Sequence, residues 1–164
     1  MTDDNAEATP RPITRRSGGG AVNLVRSGLA LAAGFLVVNV LITLWAFVAV
    51  IALWPELAPR PDGTFVFPPP DHPAFKLEML VNVPVSILAA YVCACVARRR
   101  EVAHVTALAV ALLALSAAYA AGAAGAEFGA AKPMWAHVGT AIGLLIGFVV
   151  GTRLRLRQKA RGAA

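Results

Sequence analysis

The sequence predicts an all-α protein whose four helices form a transmembrane bundle, with a disordered N-terminal tail and a proline-rich extracytoplasmic loop. Hydrophobic residues make up 58% of the chain and charged residues only 15%, whereas soluble domains average about 45–50% and about 25%. A chain of 164 residues with so few charges cannot cover the surface of a small soluble domain. It also contains four apolar runs, each close to the length of about 20 residues that crosses a bilayer as a helix.

Each apolar run predicts one helix. The first run carries no charge, and Pro55 ends it. Pro84 lies inside the second run, where it removes one backbone hydrogen bond and predicts a kink. The predicted helices cover residues 29–53, 77–96, 102–124 and 134–152 of a single transmembrane domain, residues 29–152.

The segments outside the apolar runs have distinct compositions. Residues 1–28 are polar and cannot bury a core, which predicts a disordered cytoplasmic tail. Residues 55–76 hold seven of the chain's eleven prolines, and proline favours an extended, semi-rigid connection because it fixes φ and removes a donor. Residues 153–164 form a basic cytoplasmic tail.

The basic residues are distributed asymmetrically along the chain. Twelve of the fifteen lie before the first run, between the second and third runs, or after the fourth. Cytoplasmic segments of membrane proteins carry the excess of Lys and Arg, so both chain ends are predicted to be cytoplasmic. The abundance of Ala and Arg is typical of a GC-rich bacterial genome and favours the bacterial cytoplasmic (inner) membrane.

Two basic clusters flank the apolar runs, and membrane lipids are their expected partners. A high pI, here about 10.2, can indicate a nucleic-acid partner, but clusters beside apolar runs indicate topology and contact with anionic lipid instead. No nucleic-acid partner is therefore predicted, and docking of an acidic protein partner is the alternative. The residues assigned to lipid contact or topology are Arg98, Arg99, Arg100, Arg153, Arg155 and Arg157.

Four glycines recur at intervals of four residues in the last apolar run. Each step of four turns a helix by about 400°, so the glycines form one stripe that lets two backbones approach closely in lipid. The stripe packs either against a neighbouring helix of the same chain or against a second copy, and the third run offers small residues at matching spacing (Ala114, Ala118, Gly122 and Ala126). The helix-packing residues are Gly139, Gly143, Gly147 and Gly151.

Three polar residues lie at membrane depth in the first two runs: Asn39, Glu78 and Asn82. Asparagines there can hydrogen-bond between helices, and Glu78 can reach the interface beside Lys76. A kinked helix with polar side chains can instead line a substrate path, as discontinuous helices do in transporters. Both interpretations remain open from the sequence.

No combination of residues predicts a catalytic, metal or cofactor site. His104 and His137 begin helices at opposite membrane faces, which lie about 30 Å apart, so they cannot share one metal. Cys93 and Cys95 point about 200° apart on a helix, which excludes a disulfide between them. The chain is accordingly expected to carry no cofactor and not to be an enzyme.

The stretch from the second run into the third resembles small uncharacterised bacterial four-pass membrane proteins. In those proteins a small-residue second helix ends in a basic turn, and a histidine opens the third helix. Here the pattern is Leu88-Ala89-Ala90-Tyr91, then Arg98-Arg99-Arg100, then Ala103-His104. Many such proteins carry a Gly-Gly pair in the second helix, and this chain has Ala89-Ala90 or Cys93-Ala94 there. The resemblance implies a fold and an inner-membrane location, but no activity.

The function predicted from these features is that of a small structural or accessory integral membrane protein. It would assemble with itself, as a homo-oligomer, or with a larger membrane complex. The alternative is a small transporter or channel subunit that uses Asn39, Glu78 and Asn82. A membrane enzyme or haem carrier has the least support among the residues.

Overall fold

The helices of the computed structural model form most of the chain that it describes. The described residues are 19–58, 61, 68–122 and 132–162, and among them there is no strand. A π-helical segment, Ala49–Leu53, continues the first helix, and a 3-10 turn, Pro55–Leu57, follows it. The four long helices are α1 (Gly19–Val48), α2 (Pro73–Ala97), α3 (Glu101–Ala120) and α4 (Met134–Arg161).

By length and composition, four helices of the described chain can cross a membrane. Their apolar segments lie in Val22–Leu53, Pro73–Ala97, Glu101–Ala120 and Met134–Arg161. The all-α fold class is confirmed, and the helices are compatible with a multi-pass membrane protein.

The helices at the two chain ends are longer than their apolar runs. The first helix begins at Gly19 instead of residue 29, and α4 continues to Arg161 instead of ending at residue 152. Residues 19–28 are therefore helical, while residues 1–18 of the predicted disordered tail lie outside the described residues. Apolarity marks only the part of a helix that could match a hydrocarbon layer, and in α4 good helix formers such as Arg, Leu, Gln and Ala extend the helix beyond it. The start of α1 contains poor helix formers such as Gly19, Gly20 and Gly28, and contacts of Arg26 with Val96 and of Ser27 with His104 hold it instead.

The ends of α2 and α3 also differ from their predicted positions. The second helix begins at Pro73, four residues earlier than predicted and within the proline-rich segment. Proline is favourable at the first helical position, and His72 caps the helix because its Nδ1 accepts from the Ala74 backbone N–H (3.2 Å). The third helix ends at Ala120 instead of residue 124, and Gly122 turns the chain with φ of 78°. Residues 59–60, 62–67 and 123–131 lie outside the described part of the chain.

The second helix is the centre of the bundle, because it packs against α1, α3 and α4. Its inner face consists of small residues, and Ala89, Ala90, Cys93 and Ala94 are completely buried. The helix runs unbroken through Pro84, whose ring is exposed. The kink at this position stays a prediction.

Contacts between the helices define the two ends of the bundle. The start of α1 meets the end of α2 and the start of α3, since Arg26 Nε donates to the Val96 carbonyl oxygen (3.1 Å) and His104 Nε2 lies 2.8 Å from Ser27 Oγ. The end of α4 reaches the same place, where Lys159 contacts Glu101. We call this the basic end, and the side that holds Pro73 and Met134 the opposite end.

Candidate functional site

The glycine stripe of α4 packs against α2 of the same chain. A Cβ added at Gly147 would lie 2.5 Å from Ser86 Cβ and 2.7 Å from the Val83 carbonyl oxygen. At Gly151 it would collide with the Ile87 carbonyl oxygen and lie 2.9 Å from Ala90 Cβ. These separations are shorter than ordinary van der Waals contacts, so only glycine allows the two backbones to come this close.

The other two stripe glycines, Gly139 and Gly143, lie against the first half of α2. At Gly143 an added Cβ would lie 3.3 Å from both the Met79 carbonyl oxygen and Val83 Cγ2, and at Gly139 it would collide with the Met79 side chain. The stripe therefore faces α2, although the third run also offers small residues at matching spacing. Because its glycines meet α2 in ascending order, the two helices run parallel.

A further close approach was not predicted from the sequence. An added Cβ at Gly34 of α1 would collide with Leu108 of α3 and lie 3.0 Å from Cys93 Cβ of α2. Gly34 thus lies where three helices meet. It belongs to no periodic glycine pattern, and only the packing of the three helices identifies it.

The predicted polar path is not assembled as a unit. Asn39 is exposed, and its side-chain amide donates to the Phe35 carbonyl oxygen one turn back in α1 (2.8 Å). Asn82 is buried in α2 and donates to the Glu78 carbonyl oxygen in the same way (2.9 Å). Glu78 and Asn82 are neighbours, but Asn39 points away from them.

An ion pair at the opposite end includes a residue that sequence reasoning did not select. Lys132 Nζ lies 2.6 Å from Glu78 Oε1 and 3.2 Å from Thr140 Oγ1. The Lys132 side chain is 17% exposed and that of Glu78 is 31% exposed. The pair links the segment before α4 to α2 and partly neutralises the one acidic group predicted at membrane depth. Because Lys132 and Glu78 are 54 residues apart in the sequence, no local pattern predicts the ion pair.

The basic end carries a denser set of polar contacts. Glu101 is only 4% exposed, and Lys159 Nζ lies 3.1 Å from its Oε1. Nearby, the Tyr91 hydroxyl donates to Gln158 Oε1 (2.7 Å), and Arg155 donates to the same oxygen (3.0 Å). The segment predicted as a basic tail is thus a helix that ties α4 to α2 and α3.

The predicted lipid-contact arginines separate into different environments. Arg98, Arg99 and Arg100 are exposed in the α2–α3 turn, and Arg153 and Arg157 are exposed on α4. Two of the turn residues, Arg98 (φ 53°) and Arg100 (φ 52°), have left-handed backbone conformations. Arg99 and Arg100 line a cavity together with Arg26 and His104, whereas Arg98 does not.

The histidines and cysteines are far from a metal-binding arrangement in the part of the chain that the structure describes. His104 lies at the basic end, and His137 lies in the first turns of α4 at the opposite end. His72 contacts Glu56 (3.9 Å) and the Trp54 ring. Among the described residues, no three His, Cys, Asp or Glu side chains converge on one point.

Comparisons of this chain with models of protein families, with curated proteins and with solved structures find no match.

Proposed function

We propose that this protein is a small structural or accessory component of a bacterial inner membrane, which assembles with itself or with a larger membrane complex. The observation that carries the proposal is the arrangement of its polar groups. In the described residues the two Lys–Glu ion pairs lie at the two ends, Glu78–Lys132 and Glu101–Lys159. Between the ends, α2 and α4 are joined by glycine and other small residues, which leaves little room for a polar path along that contact.

The outer surface of the bundle supports assembly. Along residues 22–53 only Ala30, Gly34 and Ala49 are buried, whereas nine residues of α2 are buried. Leu36, Phe47 and Ile51 of this helix are each more than 60% exposed. Such a surface is covered by lipid or by a partner helix, and association in lipid depends on close packing.

Native mass spectrometry of the full-length protein, extracted gently from its own host, tests the proposal. We expect a species heavier than the monomer, containing either further copies or a second protein. A bare monomer under conditions that preserve other host complexes would contradict assembly. Alkaline-phosphatase fusions at residue 62 and at the C-terminus test the proposed orientation, for which activity is expected only at residue 62.

A small transporter or channel subunit is the second candidate, and the Glu78–Lys132–Thr140 cluster favours it. The cluster is partly buried and adjoins the buried Asn82, and charged groups at membrane depth often mark ion or substrate paths. Glu78→Gln and Asn82→Leu separate the candidates. A transporter would lose flux while it keeps its fold, whereas an accessory protein would lose stability or assembly.

A further inference from the structure

A polar cavity opens at the basic end, between the first turns of α1 and the α2–α3 turn. Its volume is about 570 Å³. Among the described residues no acidic side chain lines it. Glu101 is close in sequence, but its carboxylate is held by Lys159 on the α4 side (3.1 Å). The polar lining residues are Asn23, Arg26, Ser27, Arg99, Arg100 and His104.

Hydrogen bonds between helices hold the walls of this cavity in place. Arg26 uses Nε to bind the Val96 carbonyl oxygen (3.1 Å), so its guanidinium is fixed across α1 and α2 while the two terminal nitrogens make no further hydrogen bond among the described residues. His104 bridges α3 to α1, with Nδ1 3.0 Å from the Arg100 carbonyl oxygen and Nε2 2.8 Å from Ser27 Oγ. Three helices therefore form the walls of the cavity, and hydrogen bonds between them fix its shape.

The backbone of the α2–α3 turn selects which arginines face the cavity. Arg98 and Arg100 both adopt left-handed conformations, with φ of 53° and 52°, which are uncommon for residues other than glycine. This turn places Arg99 and Arg100 in the lining and leaves Arg98 outside it. Backbone strain of this kind concentrates at functional sites.

Three arginines line one cavity, and the arginine side chain matches the chemistry of a phosphate group. Guanidinium forms paired, charge-assisted hydrogen bonds with phosphate oxygens. The start of α3 lies beside the cavity, since its N-cap residue Arg100 is one of the lining residues, and the positive end of a helix dipole favours an anion nearby. The cavity also lies at the end of helices that can cross a membrane, where basic pockets between helices bind anionic headgroups.

We propose that the cavity enclosed by Arg26, Arg99 and Arg100 binds the phosphate group of an anionic phospholipid. The site differs from general attraction to the membrane surface because it uses two of the three arginines of the turn together with an arginine of α1. It holds one headgroup between α1 and α3.

Native mass spectrometry of the full-length protein in detergent tests this, with phosphatidylglycerol and phosphatidylcholine of identical acyl chains added in equal amounts. The protein is expected to retain phosphatidylglycerol about tenfold over phosphatidylcholine, and Arg100→Gln is expected to reduce that retention about fivefold. Arg99→Gln should have a similar effect, and it tests binding without disturbing the fold, because the Arg99 side chain makes no hydrogen bond among the described residues.

The matched control is Arg98→Gln, which removes the same charge from the same turn at a residue that does not line the cavity. It should leave lipid retention unchanged. An equal loss in Arg98→Gln, or equal retention of phosphatidylcholine, would overturn the proposal. Heat unfolding in millimolar inorganic phosphate distinguishes a lipid headgroup from a soluble phosphate. If phosphate protects the protein but not Arg99→Gln, and the protein shows no preference for phosphatidylglycerol, the lipid assignment is overturned in favour of a soluble phosphate.

Discussion

The contact between α2 and α4 differs from the contacts that α3 makes with its neighbours. Along α2 and α4 the backbones approach so closely that side-chain carbons have no room at Gly147 and Gly151. By contrast, an apolar groove of about 360 Å³ lies between α3 and α4, and one of about 280 Å³ lies between α1 and α3. The same chain thus contains a closed helix pair and a helix that borders on open grooves.

The difference shows what stabilises helix contacts in a membrane. Lipid tails are as apolar as leucine, so burial from lipid gives little stabilisation and close van der Waals packing decides which helices associate. The α2–α4 pair meets this condition through glycine. The third helix buries Val105, Leu108, Ala109 and Leu112 and adds polar contacts at its start, where Glu101 binds Lys159 and His104 binds Ser27.

The largest effect is expected from a side chain added inside the closed pair. Gly151→Leu would place its side chain against the Ile87 backbone and Ala90, and backbone cannot move aside as a flexible side chain can. We expect a destabilisation of about 3 kcal/mol or more from overpacking. Heat unfolding in detergent, followed by tryptophan fluorescence, measures it.

The control for Gly151→Leu is Ala111→Leu, which adds a side chain of the same type at the groove between α1 and α3. Ala111 is exposed and lines that groove, so the substitution should leave the unfolding temperature nearly unchanged. If both variants unfold at the same temperature, the distinction between the closed pair and the open grooves is wrong.

The next effect is expected where α3 is tied to α4. Lys159→Met leaves the Glu101 carboxylate, which is 3% exposed, without its cationic partner. Hydrogen bonds to charged groups contribute about 1.5–3 kcal/mol, and we expect a loss of about 2 kcal/mol. Arg157→Met, an exposed residue on the same helix, should be nearly neutral and serves as the control.

A smaller effect is expected from the ion pair at the opposite end. Glu78→Gln removes the charge that faces Lys132 at 2.6 Å, but α2 and α4 remain joined by their glycine contacts. We expect a destabilisation of about 1 kcal/mol, because the pair is partly exposed and screened. A loss as large as that of Lys159→Met would mean that the glycine contacts do not hold this end by themselves.

The smallest effect is a gain in stability at the α2–α3 turn. Arg98 has φ of 53°, and this conformation costs a residue with a Cβ about 1 kcal/mol relative to glycine. Arg98→Gly should therefore raise the unfolding temperature slightly. Arg99→Gly, at a neighbouring position without positive φ, should lower it or leave it unchanged.

The fold class and the four long helices of the described residues follow from the sequence alone. Four apolar runs of bilayer length leave no other way to satisfy their backbone hydrogen bonds in lipid than as helices. The periodicity of Gly139 to Gly151 also marked a close-packing face, because a repeat of four residues stays on one side of a helix. Local pattern is sufficient for such features.

The partners of these faces were decided only by the tertiary structure. The spacing of small residues leaves open whether the glycine stripe meets a neighbouring helix of the chain or a second copy, and in the structure it packs on α2, since tertiary packing and not spacing determines which helix is adjacent. Lys132 with Glu78 and Arg26 with Val96 of α2 are contacts between residues 54 or more positions apart, and no local pattern encodes them. The sequence determines which segments become helices, whereas the packing of the helices determines which polar residues meet.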